Sequence, residues 1–255
     1  MCIRDSISRG NEAIEYILDT KLPYSSGPEW MFENILKNRR VIAISGTHGK
    51  TSTTAMITWM LESAGLKPGF LIAGNPKDFS VSARIGKDEV FVIEADEYDT
   101  AFFDKRPKFV HYHPEVLVIN NLEFDHADIY SNLEEIQKQF HNLIRAMPSF
   151  GCMIYPDNNK NIEQVLELGV WSKVNTFGVH KKNSNYYEAI KEDYSSIRFH
   201  LNNDFAEISW NLTGEYNVSN AMAALLVIAF FSNWLVKPVD SKHHVKNTHP
   251  ELSEG

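Results

Sequence analysis

The chain has 255 residues, 43% of them hydrophobic, enough for one large packed domain and incompatible with global disorder. Lys and Arg number 25 against 33 Asp and Glu, a net charge of −8 that argues against nucleic acid as the main partner. The only two cysteines, Cys2 and Cys152, exclude a disulfide framework and a cysteine zinc site, and suit a reducing cytoplasm.

The first six residues lack the apolar core of a signal peptide. Apolar spacing predicts short helices over 11–20 and 29–38, with a turn at Gly27-Pro28 placed to cap the second. A β-branched run over 41–45 predicts a buried strand. A glycine loop follows at once, and then a helix over 50–64. Met56, Ile57, Met60, Leu61 and Ala64 share one face of that helix, and Gly65 ends it. Three more short apolar strands are predicted over 70–73, 90–94 and 116–120, of the kind buried on both faces of a parallel sheet. An amphipathic helix over 133–147 stops at Pro148. A strand over 152–155, a helix over 161–168 ended by Gly169, and a strand over 176–179 come next. Residues 187–212 alternate like an antiparallel pair that turns at 202–204. The last predicted helix is 217–231. Its apolar stretch contains Ser232 and Asn233 and is too short for a membrane span, so it reads as a buried helix. Residues 237–255 are polar and without periodicity, a disordered tail in which His243-His244 lacks metal-site spacing.

This order implies an α/β fold from about 40 to about 236, a doubly wound, mostly parallel sheet with a small antiparallel addition. Ligands in such sheets bind at the carboxyl ends of the strands, and four polar clusters fall there. The first is Gly46-Thr47-His48-Gly49-Lys50-Thr51. A standard phosphate loop reads Gly, four residues, then Gly-Lys-Ser/Thr. Here Gly49-Lys50-Thr51 are in place, but Ile44 stands where the first Gly belongs. Glycines let backbone N–H groups turn toward an anion at the positive end of the following helix. Lys50 can reach outer phosphates and the Thr51 hydroxyl can ligate Mg²⁺.

The second cluster is FVIEADEYD, residues 91–99, where a strand runs into four carboxylates. Mg²⁺ takes one or two carboxylates plus phosphate and water, and Glu94 lies nearest the strand. Without the other clusters, this would be a solvated acidic loop. The third is VINNLEFDHADIY, residues 118–130, with Asn120, Asn121, Glu123, Asp125, His126 and Asp128. His126 could ligate a metal or position a phosphate, with Asp125 fixing its tautomer. The fourth is GEYNVSNAMAA, residues 214–224, where Asn217 and Asn220 open a helix. Asn217 either caps that helix or reads a base edge or ribose.

Together GTHGKT, the Glu after the 90–94 strand, N-x-E-x-D-H-x-D-x-Y and G-x-x-N-x-x-N-A resemble the Mur ligases, ATP-dependent amide ligases of peptidoglycan synthesis. That family uses a glycine loop without the distal Gly. The stretches SGPEW, EADEYDTAFFDKRPKFVHYHP and NNLEFDHADIY resemble those members that join UDP-N-acetylmuramate to L-alanyl-γ-D-glutamyl-meso-diaminopimelate, the murein tripeptide. The L-alanine-adding members are the alternative within the family. The resemblance implies ATP and Mg²⁺ as cofactors, no nucleic acid and no membrane insertion. It implies Lys50 on the β- and γ-phosphates, Thr51 and Glu94 on one Mg²⁺, His126 on a second, and Asn217 near the base or ribose. Members often carry His where this chain has Tyr216. It also implies domain limits: 1–38 as the end of an N-terminal UDP-binding domain and linker, 39–236 as the central ATP-binding domain, and 237–255 as a tail outside the family, with the C-terminal ligase domain missing. Two readings from other classes stand beside it: a stand-alone nucleotide-binding module, and a generic P-loop hydrolase or kinase. The missing distal Gly and the D-H-x-D stretch argue against the hydrolase or kinase.

Overall fold

The computed structural model describes residues 8–235, apart from 75, 77, 125–129, 180 and 181. The tail and its histidine pair therefore lie outside the described residues, as does His126. The chain opens with helix α1 (Glu12–Asp19), capped by Asn11, whose side chain accepts the Ala13 N–H at 3.0 Å. Helix α2 (Gly27–Met31) begins with a reciprocal cap. Ser26 Oγ accepts the Glu29 N–H at 3.2 Å, and the Glu29 carboxylate accepts the Ser26 N–H at 3.5 Å. This helix starts earlier than the pattern predicts and passes into a π-turn (Phe32–Leu36), a widening that the 3.6-residue period cannot reveal.

The central sheet has seven strands: β1 (Arg40–Ser45), β2 (Gly69–Leu71), β3 (Ala83–Arg84), β4 (Val90–Glu94), β5 (Val116–Ile119), β6 (Cys152–Pro156) and β7 (Lys173–Phe177). Their order is β3-β2-β4-β1-β5-β6-β7, and all neighbours are parallel except β2 with β3. From β1 the chain passes to β2 and the edge strand β3 on one side, returns to insert β4 beside β1, and then crosses to β5 on the other. β1 therefore marks the topological switch point, where a crevice opens beyond the strand ends.

Four helices cover the sheet: α3 (Lys50–Ser63), α4 (Leu133–Arg145), α5 (Lys160–Glu167) and α6 (Glu215–Leu235). Alternation along the strands sorts the core into two layers. Ile42, Ile44, Val92, Val118 and Ile154 pack with α3 and α6, including Ile57, Leu61, Met222 and Val227. Val41, Ala43, Phe91, Ile93, Leu117 and Met153 pack on the other face with Phe140 and Ile144 of α4 and Ile162 and Val165 of α5. A 3₁₀ turn (Lys108–Tyr112) adds Phe109 to that second layer. Helix α3 ends at Gly65 (φ 89°), whose N–H and that of Leu66 close back on Glu62 and Leu61, as the sequence predicts.

Three expectations need correction. The antiparallel pair is a three-stranded sheet of β8 (Asn185–Ala189), β9 (Ser196–Leu201) and β10 (Asp204–Ser209). The strand missed, β8, is polar and half-exposed, so it carries little apolar signal. Strand β7 lies three residues before its predicted start, because its register is set by pairing with β6 (Cys152 opposite Lys173), not by its own β-branched residues. Strand β3 has two residues, too few for any periodicity.

Candidate functional site

Register brings the strand ends level: Ile44 pairs with Glu94, and Ser45 with Ile119. The four loop residues 46–49 leave β1 between β4 and β5 and turn straight into α3. Two of them need glycine. Gly46 sits at φ 123°, and a Cβ there would stand 2.8 Å from the Asn121 carbonyl oxygen. Gly49 sits at φ 81°, and its Cβ would stand 2.6 Å from Asn220 Oδ1 and 2.8 Å from Asn120 Nδ2. Helix α3 begins at Lys50, so the free N–H groups of its first turn and its positive dipole end open toward the crevice.

The Lys50 ammonium donates to the Gly46 carbonyl at 2.7 Å and stands 3.6 Å from Asp96 and 3.7 Å from Glu97. Its charge is thus held at the mouth of the loop by oxygens that a phosphate can replace. At the next residue, the Thr51 hydroxyl donates to Glu94 at 3.2 Å, and the same carboxylate accepts the Ala73 N–H at 2.8 Å. Glu94 is 7% exposed. Burial, reinforced by Asp96, pushes its carboxyl up to about 7 against the pull of Ala73, Thr51 and Lys50.

Two oxygens of one octahedral Mg²⁺ shell stand about 3 Å apart. The Thr51 hydroxyl and the Glu94 carboxylate, 3.2 Å apart, match that spacing and that hard-oxygen preference. The donor pair therefore fits Mg²⁺.

The structure brings Gly46, Thr47, His48, Gly49, Lys50, Thr51 and Glu94 together. It puts Asn217 in the first turn of α6, buried, with its Nδ2 donating to the Thr213 carbonyl at 2.9 Å. Asn220, one turn further on, is the residue of that helix that meets the loop. Tyr216 is 65% exposed beside them. Sequence reasoning named Asn120 and Asn121 in the third cluster but gave them no role. Asn120 donates to the His48 carbonyl at 3.3 Å and to Thr53 Oγ1 at 3.0 Å. Asn121 accepts the His48 N–H at 2.8 Å and donates to the His48 carbonyl at 3.3 Å. The available signal was a pair of amides ending an otherwise apolar strand.

A switch-point crevice with a short glycine loop, a lysine at a helix start and a hydroxyl–carboxylate pair has the donor set that suits a phosphate and a divalent cation. Residues 44–228 match the model of the Mur ligase middle domain. The chain belongs to the Mur ligase family. It is 47% identical over 224 residues to a ligase of Haemophilus influenzae named for UDP-N-acetylmuramate and L-alanyl-gamma-D-glutamyl-meso-2,6-diaminoheptandioate, covering 88% of this chain and 49% of that protein. To a UDP-N-acetylmuramate:L-alanine ligase of Desulforapulum autotrophicum it is 32% identical over 200 residues, 77% of this chain and 42% of that protein. The crystal structure of a UDP-N-acetylmuramate:L-alanyl-gamma-D-glutamyl-meso-diaminopimelate ligase from Neisseria meningitides superposes with a TM-score of 0.83 at 43% identity, covering 88% of this chain and 72% of that one. The chain spans about half the length of the curated Mur ligases it matches. Among the described residues of this Mur ligase, no helix is long and apolar enough to cross a membrane.

Proposed function

We propose that residues 39–236 form the central ATP-binding domain of a cytoplasmic ligase that joins UDP-N-acetylmuramate to L-alanyl-γ-D-glutamyl-meso-diaminopimelate during peptidoglycan recycling. The observation that carries this reading is 47% identity to a relative named for that pair of substrates, against 32% to an L-alanine ligase.

In this reading ATP and Mg²⁺ bind at the switch point. The lactyl carboxylate of UDP-N-acetylmuramate attacks the γ-phosphorus. The bond to the β–γ bridging oxygen breaks, ADP departs, and an acyl phosphate forms. The free amine of the tripeptide then attacks the acyl carbon, the carbon–oxygen bond to phosphate breaks, and the amine gives up a proton as the amide forms. Such chemistry asks the protein mainly for position and charge. Lys50 exchanges Gly46, Asp96 and Glu97 for phosphate oxygens and offsets the charge that gathers on them. The Gly49–Ser52 N–H groups at the start of α3 orient the phosphates. Thr51 and Glu94 hold Mg²⁺, which supplies further charge neutralisation there. His126 would take a second metal in the same reading, and Asn217 would sit near the base or ribose.

Titration calorimetry with Mg·ATP tests the site. Binding that requires Mg²⁺ and is lost in Lys50→Ala supports it, and binding unchanged in Lys50→Ala refutes it. A full-length ligase carrying this domain should turn over the tripeptide in preference to free L-alanine. The opposite preference would reassign it to the L-alanine-adding members.

A further inference from the structure

The loop of this protein is too short to enclose a phosphate in the standard way. The position of the missing distal glycine, Ile44, is locked in β1, paired with Glu94 on one side and Val118 on the other. The arc between strand and helix is four residues long, and its shape is imposed from outside by the end of β5. Gly46 lies against the Asn120 and Asn121 backbone with no room for a Cβ. The Thr47 N–H donates to the Asn121 carbonyl at 3.3 Å, and Thr47 Oγ1 accepts the Glu123 N–H at 3.0 Å. The Asn121 side chain then clamps His48 at two points, accepting its N–H at 2.8 Å and donating to its carbonyl at 3.3 Å.

Resting on the nucleotide-site reading above, we propose that Asn121 is a positioning residue that shapes the phosphate loop in place of the absent glycine arc. Its carbonyl and its side chain occupy the Thr47 and His48 N–H groups, so the front of the loop is a strut rather than a donor surface. The anion is left to the first turn of α3, whose N–H groups no intrahelical carbonyl can accept. The two-point clamp needs an acceptor and a donor on one short planar group. Asparagine supplies both, whereas ionised aspartate is acceptor-only and would set a carboxylate oxygen against the His48 carbonyl.

The test compares Mg·ATP binding by the wild type, Asn121→Ala and Asn121→Asp, each well below its own melting temperature. That separates loop geometry from overall stability. Asn121→Ala should raise Kd roughly tenfold or more. Asn121→Asp should weaken binding at about pH 8 at least as much as Asn121→Ala, because the ionised carboxylate has no donor and sets an oxygen against the His48 carbonyl. A purely structural role would lower Tm, with the isosteric Asn121→Asp milder than Asn121→Ala and Mg·ATP affinity of the folded variants unchanged. Both variants binding within about twofold of the wild type would overturn the proposal, and so would wild-type affinity in Asn121→Asp. Failure of the wild type to bind Mg·ATP would instead overturn the nucleotide site itself, and the role of Asn121 with it.

Discussion

Replacing Glu94 with Gln keeps the size of the side chain and removes its charge. In the metal-free protein that charge is a burden, because the carboxyl is buried beside Asp96 and titrates at about 7 rather than 4.5. The folded-state pKa is raised, so the fold favours the protonated form. That advantage is complete below about pH 4.5 and is lost as pH rises through about 7. The gap corresponds to about 3 kcal/mol at about 1.4 kcal/mol per tenfold change in proton affinity. At pH 8 the wild type carries the whole penalty and Glu94→Gln carries none. The amide's own burial offsets part of the gain, which leaves about 2 kcal/mol and a Tm higher by roughly 4–8 °C. At pH 5 the difference should shrink below about 1 kcal/mol. The Gln oxygen can still accept the Ala73 N–H, so the fold is kept. The Mg²⁺-dependent part of ATP binding should nevertheless fall by tenfold or more, because an anionic oxygen ligand is gone. The assay is thermal melting in EDTA at the two pH values, with calorimetry of Mg·ATP. Equal melting temperatures at pH 8, a gap that ignores pH, or retained Mg·ATP affinity would each refute the reasoning. The variant would be an instance of a site that trades stability for function.

Gly46→Ala should fail more severely than Gly49→Ala. At Gly46 the added Cβ meets immovable backbone at a φ of 123°, whereas at Gly49 it meets two side-chain amides. Expression and Tm of the two variants decide this, with a loss of about 2–5 kcal/mol expected at Gly46. Tyr187→Phe removes a hydroxyl that donates to Glu215 at 3.1 Å and ties β8 to the start of α6. Chemical denaturation should show a loss of about 1 kcal/mol with an unchanged m-value. Asp104 is held down to about 2, chiefly by its hydrogen bonds from Arg106. Its contribution is therefore present above about pH 3.8 and lost as pH falls through about 2, and Arg106→Ala should move the acid unfolding midpoint upward. A midpoint unmoved by that change would show that the pair does not contribute.

Much of the site could be read from the chain because its signals are local. The run 41–45, the glycines and Lys50-Thr51 are contiguous, and a strand–loop–helix turn is fixed by neighbours in sequence. Glu94 was legible for the same reason, since it is the first carboxylate after an apolar strand. Asn217 illustrates the limit: spacing placed both asparagines at the helix start, but only the packing of α6 on α3 shows that Asn220 meets Gly49 while Asn217 bonds to Thr213.

By itself the sequence determined the fold class, the two-faced burial of the strands and the strand–loop–helix course of the glycine loop, because periodicity and turn residues act over a few positions. Strand order was decided only in three dimensions. It sets β4 and β5 on either side of β1, and with them Glu94, Asp96, Asn120 and Asn121 around a loop some forty to seventy residues away in the chain. Pairing between distant strands depends on the collective burial of the whole sheet, and no local pattern encodes which loop a given asparagine will support.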